Sequence, residues 1–223
     1  MDKIYLTLIS LSALALNSYA EKSLYIPREW QNRTDTLIYS DNDPDNQYTW
    51  SKSRSKESEN FIVYWDNKYG NTMPTNASST YRVDIDDLLN KAEGFYEMNV
   101  GKLAFCDESH SNVSKYKMMI LLNYTTEWIC YGGGYDDTIG ALWLSPSTSK
   151  PVGHSVAHEV GHSFQYQVYA DLKGYTGFRT AIGSGSTFWE QTAQWQANQS
   201  YPDLKWDQSW NLFKNTHNYA MTH

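Results

Sequence analysis

His158, Glu159 and His162 stand in the run His-Glu-Val-Gly-His, and that spacing can do metal chemistry. Residues four apart on a helix share a face, so both imidazoles can address a single ion. Zinc accepts neutral histidine nitrogen at about 2.0–2.1 Å, and a catalytic zinc site keeps one position open for water. The metal lowers the pKa of that water toward about 7, so a carboxylate beside the first ligand is a sufficient base. Glu159 occupies that position. With six His and ten Glu in 223 residues, such a run arises by chance in roughly one chain per hundred. The bland alternative is a helix carrying two surface histidines.

A catalytic zinc needs a third protein ligand. The extended pattern HExxHxxGxxH would place Gly and His where this chain has Gln165 and Val168, so that continuation fails. Glu190 is the better candidate, in Thr187-Phe-Trp-Glu-Gln-Thr-Ala-Gln-Trp195, 28 residues after His162. The gap holds a helix end, a loop with Gly174, Gly177, Gly183 and Gly185, and a return. Glu190 has a competing role: Thr187-x-x-Glu190 is also a capping box, in which the carboxylate would bond back to the Thr187 backbone. Gln194, one turn on, could orient a ligand. His154, one turn before His158, could line the site. Asp171, His154 and Asp207 are weaker third-ligand candidates.

The elements that must position these groups are legible. Pro151 to about Ala170 reads as the HExxH helix, with Val156, Ala157, Val160, Phe164 and Val168 as its buried stripe. Gly161 costs about 1 kcal/mol inside a helix, which makes sense where another backbone or a ligand comes close. Phe61–Trp65, Lys117–Leu122 and Ile139–Leu144 read as strands. Val83–Met98 reads as a helix with Asp84 as N-cap and Ile85, Leu88, Leu89, Ala92, Phe95 and Tyr96 as its stripe. Gly132-Gly-Gly134 reads as a flexible loop or bulge; it lacks the Gly-Lys-Ser/Thr that a phosphate cradle requires. Thr36–Tyr39 reads as a short strand, and Asp203 to about Thr216 as a last helix. The fold class expected is α+β, with a small mixed sheet, a backing helix, the HExxH helix and a following Glu-bearing helix.

HEVGH followed by a helix bearing Trp-Glu-Gln-x-Ala resembles the gluzincin branch of the zincin metallopeptidases. The stretch from about Glu59 to Ala197 also resembles a secreted family of unknown function carrying an HExxH motif. It is more distantly similar to enhancin-like, mucin-degrading peptidases. The resemblance implies one Zn2+ per chain, held by His158, His162 and Glu190, with Glu159 as catalytic base. It also implies a Tyr or His that stabilises the transition state; His217, Tyr219, Tyr201 and Tyr175 are candidates, unranked. It further implies that the strand before the active helix, Ile139–Leu144, is a sheet edge that binds substrate backbone. Gluzincins carry a C-terminal lobe as the far wall of their cleft, and only 33 residues follow Glu190.

Compartment and class follow from composition. Ile4–Leu16 is an apolar run of 13 after Lys3, ending at Asn17-Ser-Tyr-Ala20; that order reads as a signal peptide cleaved before Glu21. A membrane span needs about 20 apolar residues, and no segment offers them. Removal of residues 1–20 leaves about 200 residues, one domain's worth: a polar leader over 21–60, then a zincin-like domain over 61–223. Net charge −7 excludes a phosphate-neutralising nucleic-acid surface. Asn32, Asn76, Asn112, Asn123 and Asn198 open N-x-Ser/Thr sequons. Cys106 and Cys130 are the two cysteines, and in an oxidising compartment they are expected to pair. Nine Trp and 18 Tyr supply core and, at a groove, contact surface for peptide or sugar. The function expected is a secreted zinc metallopeptidase acting on extracellular proteins, peptides or glycoproteins. The alternative is a non-catalytic zinc-containing module that binds glycan or peptide.

Overall fold

The computed structural model describes residues 21–31, 50–172 and 186–202. The expected signal segment, the Thr36–Tyr39 strand, the glycine-rich loop after Asp171 and the helix from Asp203 lie outside the described residues. So do Asn32, Tyr175, Asp207, His217 and Tyr219. In chain order the elements are α1 (Arg28–Gln31), β1 (Ser55–Glu57), β2 (Phe61–Trp65), α2 (Ile85–Glu97), β3 (Met118–Leu122), β4 (Cys130–Tyr135), β5 (Ile139–Leu144), α3 (His154–Asp171) and α4 (Ser186–Ser200). The five strands form one open mixed sheet in the order β1-β2-β3-β5-β4. β2, β3 and β5 are parallel; β1 and β4 run antiparallel at the two edges. The architecture is α+β.

Every residue of β2 and β3 is buried, as expected of parallel strands covered on both faces. On one face Phe61 meets Tyr96 of α2 edge-on, with ring centroids 6.1 Å apart. Tyr96 in turn meets Phe164 of α3 at 5.6 Å. On the other face Tyr64 packs edge-on against Trp30 at 5.4 Å, and Trp30 is only 1% exposed. The described part of the polar leader therefore covers the sheet. The charged run Ser51–Glu59 reads as irregular in sequence, yet the structure makes Ser55–Glu57 an edge strand paired with Ile62–Tyr64. Its charges suit an edge: Lys56 pairs with Asp86, and Glu57 with Lys117 at 2.8 Å.

The two long helices follow their apolar periodicity. Asp84 caps α2, its carboxylate accepting from the Asp86 and Asp87 N–H groups at 3.1 Å each. The six predicted stripe residues of α2 are all buried. α3 begins at His154, three residues later than the sequence suggests, because Pro151 and Val152 belong to the turn before it. Of its predicted stripe, Val156, Ala157, Val160 and Phe164 are buried and Val168 is half-buried.

Two sequence readings are corrected at the sheet edge. Gly132-Gly133-Gly134 is not a loop but the middle of β4, and β5 is not the edge but lies between β3 and β4. The reason is steric. Alternate residues of a strand face opposite sides, and Gly132 and Gly134 face α3. A Cβ on Gly132 would overlap the Glu159 carbonyl oxygen and sit 2.7 Å from His162 Cβ. A Cβ on Gly134 would overlap the Tyr166 ring. The glycines let β4 lie directly on the HExxH helix.

The expected disulfide is also corrected: Cys106 and Cys130 are free, buried thiols. Cys130 lies against the Glu159 carboxyl, whereas the Cys106 thiol donates to Asp171 Oδ2 at 3.7 Å. Their partners are 12 residues apart on α3, about 18 Å along the helix. A disulfide needs Cα atoms within roughly 7 Å. Burial pushes both thiols up, Cys106 to about 12, so neither is a ready nucleophile.

The glycine contacts set a test. Gly132→Ala forces the helix and the edge strand apart and should cost about 1–3 kcal/mol, lowering Tm by roughly 3–10 °C. Gly133→Ala, whose Cβ would meet only Trp143 at 3.7 Å, should melt within about 2 °C of the parent chain. Equal melting of the two variants, by circular dichroism, would contradict the packing described.

Candidate metal centre

α3 is sandwiched between the sheet edge and α4, and the contact with α4 is close because of Gly161. A Cβ there would lie 3.1 Å from Ala193 Cα and 3.0 Å from Gln196 Oε1. The predicted close approach is therefore made by the α4 backbone. Ala193 lies one turn after Glu190, on the same face of α4. Docking at Gly161 thus brings Glu190 over His158 and His162. α4 begins at Ser186, upstream of Thr187, and the Glu190 carboxylate is directed at the histidines rather than back at a cap.

Glu190 Oε2 is 3.0 Å from His158 Nε2 and 3.3 Å from His162 Nε2. One ligand atom from each of the three residues lies within 4.8 Å of the others. The far side of each imidazole is held by an amide. Gln165 donates its Nε2 to the Trp189 carbonyl at 2.9 Å, which turns its Oε1 toward His162 Nδ1 at 2.8 Å. Gln194 Oε1 lies 3.1 Å from His158 Nδ1. An amide oxygen only accepts, so each Nδ1 carries a proton, and in the neutral ring each Nε2 presents a lone pair. Two lone pairs and a carboxylate oxygen then face one point. Neutral imidazoles have no proton to give there, whereas a divalent cation satisfies all three. The donor set fits zinc, with nitrogen, nitrogen and carboxylate oxygen as ligands and orienting groups behind the histidines.

Glu159 points to the other side, toward β4. It is 7% exposed. Burial pushes its carboxyl up to about 7; the nearby Glu190 charge adds to this, while His158, the Gly132 N–H and the Cys130 thiol counter it. Where the imidazoles are protonated, their Nε2–H groups donate to Glu190 and hold its carboxyl well below the usual carboxylate range. The histidines, both glutamates, Gln194, Cys130, Tyr131, Gly132, Trp128 and Trp189 border one cleft of about 460 Å³, a volume in the range of ligand sites. Trp189 stacks on the His162 ring at 5.3 Å and 15°.

The other predicted residues divide. His154 borders the cleft; its Nε2 sits between Gln194 Nε2 at 3.0 Å and Asn198 Oδ1 at 2.9 Å. Burial lowers its pKa, so it braces Gln194 as a neutral ring. Asp171 is not brought to the site: its carboxylate accepts from the Asn112 N–H at 3.1 Å and from Gln167 at 2.9 Å. Tyr201 packs on Phe95 at 5.9 Å and on the His154 ring at 6.2 Å, away from the cleft. Among the described sequons, Asn76 is exposed. Asn112 and Asn123 instead donate their amides to the Thr138 and Leu144 carbonyls. Gln165, Trp189 and Cys130 are neighbours of the candidate ligands and of Glu159 that the HExxH motif does not mark. Gln165 was findable, since a polar residue three after a ligand shares its helix face; nothing in the sequence marks Trp189 as its stacking partner.

The sequence pattern of a family of unknown function (DUF6055) matches residues 16–223. The chain belongs to this family. No curated protein and no solved structure matches the chain.

Two measurements check the site. Gln165→Leu removes the acceptor behind His162 and should weaken zinc binding about 10- to 100-fold, read by competition with a chromophoric chelator. The second concerns Glu159 in chelator-treated protein. An acid whose folded pKa is raised, here from 4.5 to about 7, destabilises the fold where it is ionised. The cost is absent below the ordinary value and complete above the raised one. Glu159→Gln should therefore raise Tm by several degrees at pH 8 and little at pH 4.5. A gain of equal size at both would contradict the burial argument.

Proposed function

We propose that this chain is a secreted, zinc-dependent metallopeptidase with a zincin-like arrangement, cleaving peptide bonds of extracellular proteins or glycoproteins. The observation that carries the reading is the convergence of His158 Nε2, His162 Nε2 and Glu190 Oε2 on one point, with the Glu159 carboxyl buried beside it. His158, His162 and Glu190 would hold the ion. When bound, zinc supplies Lewis-acid polarisation and a water acidic enough to be deprotonated near pH 7.

The chain's own groups do the proton work. Glu159 takes a proton on its carboxylate from the attacking water, then delivers it to the departing amine nitrogen as the C–N bond breaks. The Gly132 N–H and the Cys130 thiol hold that carboxylate in place. Gln165 and Gln194 keep the imidazole protons on Nδ1 throughout. The sheet edge beside the cleft is β4, so the substrate backbone pairs with β4, and not with β5 as the zincin resemblance implies.

The deciding experiment measures zinc in the purified mature chain and in Glu190→Ala, together with cleavage of a panel of unfolded proteins read by mass spectrometry. One zinc per chain is expected, with loss in the variant. Glu159→Gln should keep its zinc and lose turnover at least about 100-fold. No zinc in the intact chain, or undiminished cleavage by Glu159→Gln, would end the reading. Zinc without cleavage would point to the binding-module alternative.

A further inference from the structure

The second face of β4 points to what the cleft selects. A row of aromatic rings runs across the sheet on the side away from α3. It starts at Trp30, in the core. Trp30 meets Tyr135 edge-on at 5.8 Å, Tyr135 meets Trp143 at 5.3 Å, and Trp143 stacks on Tyr131 at 4.8 Å and 11°. The row ends in the open: Tyr131 is 52% exposed and sits on the edge strand, at the rim of the metal cleft. Trp128, 67% exposed, borders the same cleft three residues earlier. Between Tyr131 and Tyr135 stands Gly133, which adds no side chain over the half-buried Trp143 ring.

We propose that Tyr131 and Trp143 determine specificity, selecting peptides with an aromatic side chain close to the scissile bond. The proposal rests on the peptidase reading and on the substrate adding as a strand to β4. In an added strand, side chains alternate between the α3 face and the far face. Those on the far face become cross-strand neighbours of Tyr131 and Gly133. There a ring continues the stack of Tyr131 and covers Trp143, much as an aromatic side chain rescues a glycine across a strand pair. On the α3 face the cleft is occupied by Glu159 and the metal ligands, so selectivity falls to the far face. A charged side chain there would lose hydration, whereas a ring gains an aromatic contact.

The test is binding to the zinc-loaded Glu159→Gln chain, followed by tryptophan fluorescence, with two blocked peptides: Ala-Ala-Phe-Ala-Ala and its all-alanine counterpart. The Phe peptide should bind about 3- to 10-fold tighter. Adding Tyr131→Ala should abolish the difference, and Tyr131→Phe should restore it, which separates a stacking role from general damage. No difference between the peptides, or a difference untouched by Tyr131→Ala, overturns the specificity proposal even where the parent chain cleaves proteins. Failure of the peptidase reading shows separately, as a parent chain that cleaves nothing. In that case an aromatic preference lost in Tyr131→Ala would still support Tyr131 as a recognition residue.

Discussion

Two imidazole nitrogens and a carboxylate oxygen meet at one point, and a protein holds them so only where the surrounding structure leaves them no alternative. His158 and His162 cannot turn away, because their Nδ1 atoms are held by Gln194 and Gln165. Gln165 cannot turn either, because its amide nitrogen is committed to the Trp189 carbonyl. Glu190 is the most exposed of the three, with 60% of its side chain accessible. It is fixed mainly through its helix, by the Gly161–Ala193 contact one turn away. The restraint therefore comes from hydrogen bonds behind the ligands and from backbone approach beside them. A site so restrained needs little reorganisation to take up a ligand.

That restraint is transmitted from a well-filled core. β2 and β3 bury every residue, and α3 packs on the sheet through residues with little freedom to move. Ser163 Oγ donates to the Ala141 carbonyl at 2.8 Å, and Gln167 Oε1 accepts from the Gly140 N–H at 3.0 Å. These buried polar contacts tie the middle of the HExxH helix to β5. Their geometry is demanding, since a lost partner leaves a buried group unsatisfied at about 1–3 kcal/mol. The helix is held in register along its length as well as pressed against the sheet.

Sequence made part of this legible and hid the rest for physical reasons. The HExxH face, the α2 stripe with its Asp84 cap and three of the five strands follow from periodicity, which records burial directly. Glu190 could be nominated because a two-histidine site lacks a ligand, but a capping box has the same spelling. Only the docking of α4 distinguishes them. β4 was hidden because glycine carries no propensity for a strand: Gly132 and Gly134 are there for the space they leave to α3. β1 was hidden because an edge strand is selected for charge. The cysteine pairing failed because separation along the chain says nothing of distance in the fold, and the two thiols lie at opposite ends of α3.

The same glycines have two consequences that pull together. By removing side chains from the α3 face they let the strand approach until Gly132 N–H meets the Glu159 carboxylate. By the same removal they leave β4 an edge of largely bare backbone, with its N–H and C=O groups beside the cleft. An edge of that kind is a liability in a protein with no use for it, because it invites pairing with any extended chain. The opposite edge, β1, is short and bears Lys56 and Glu57. β4 has no Lys or Arg and ends its exposed face in Tyr131. Among the described residues, one edge is thus blunted with charge and no strand pairs with the other, which is the edge against which Glu159, His158 and His162 are packed. An added strand there would sit beside the candidate metal ligands, which ties the edge of β4 to the candidate site.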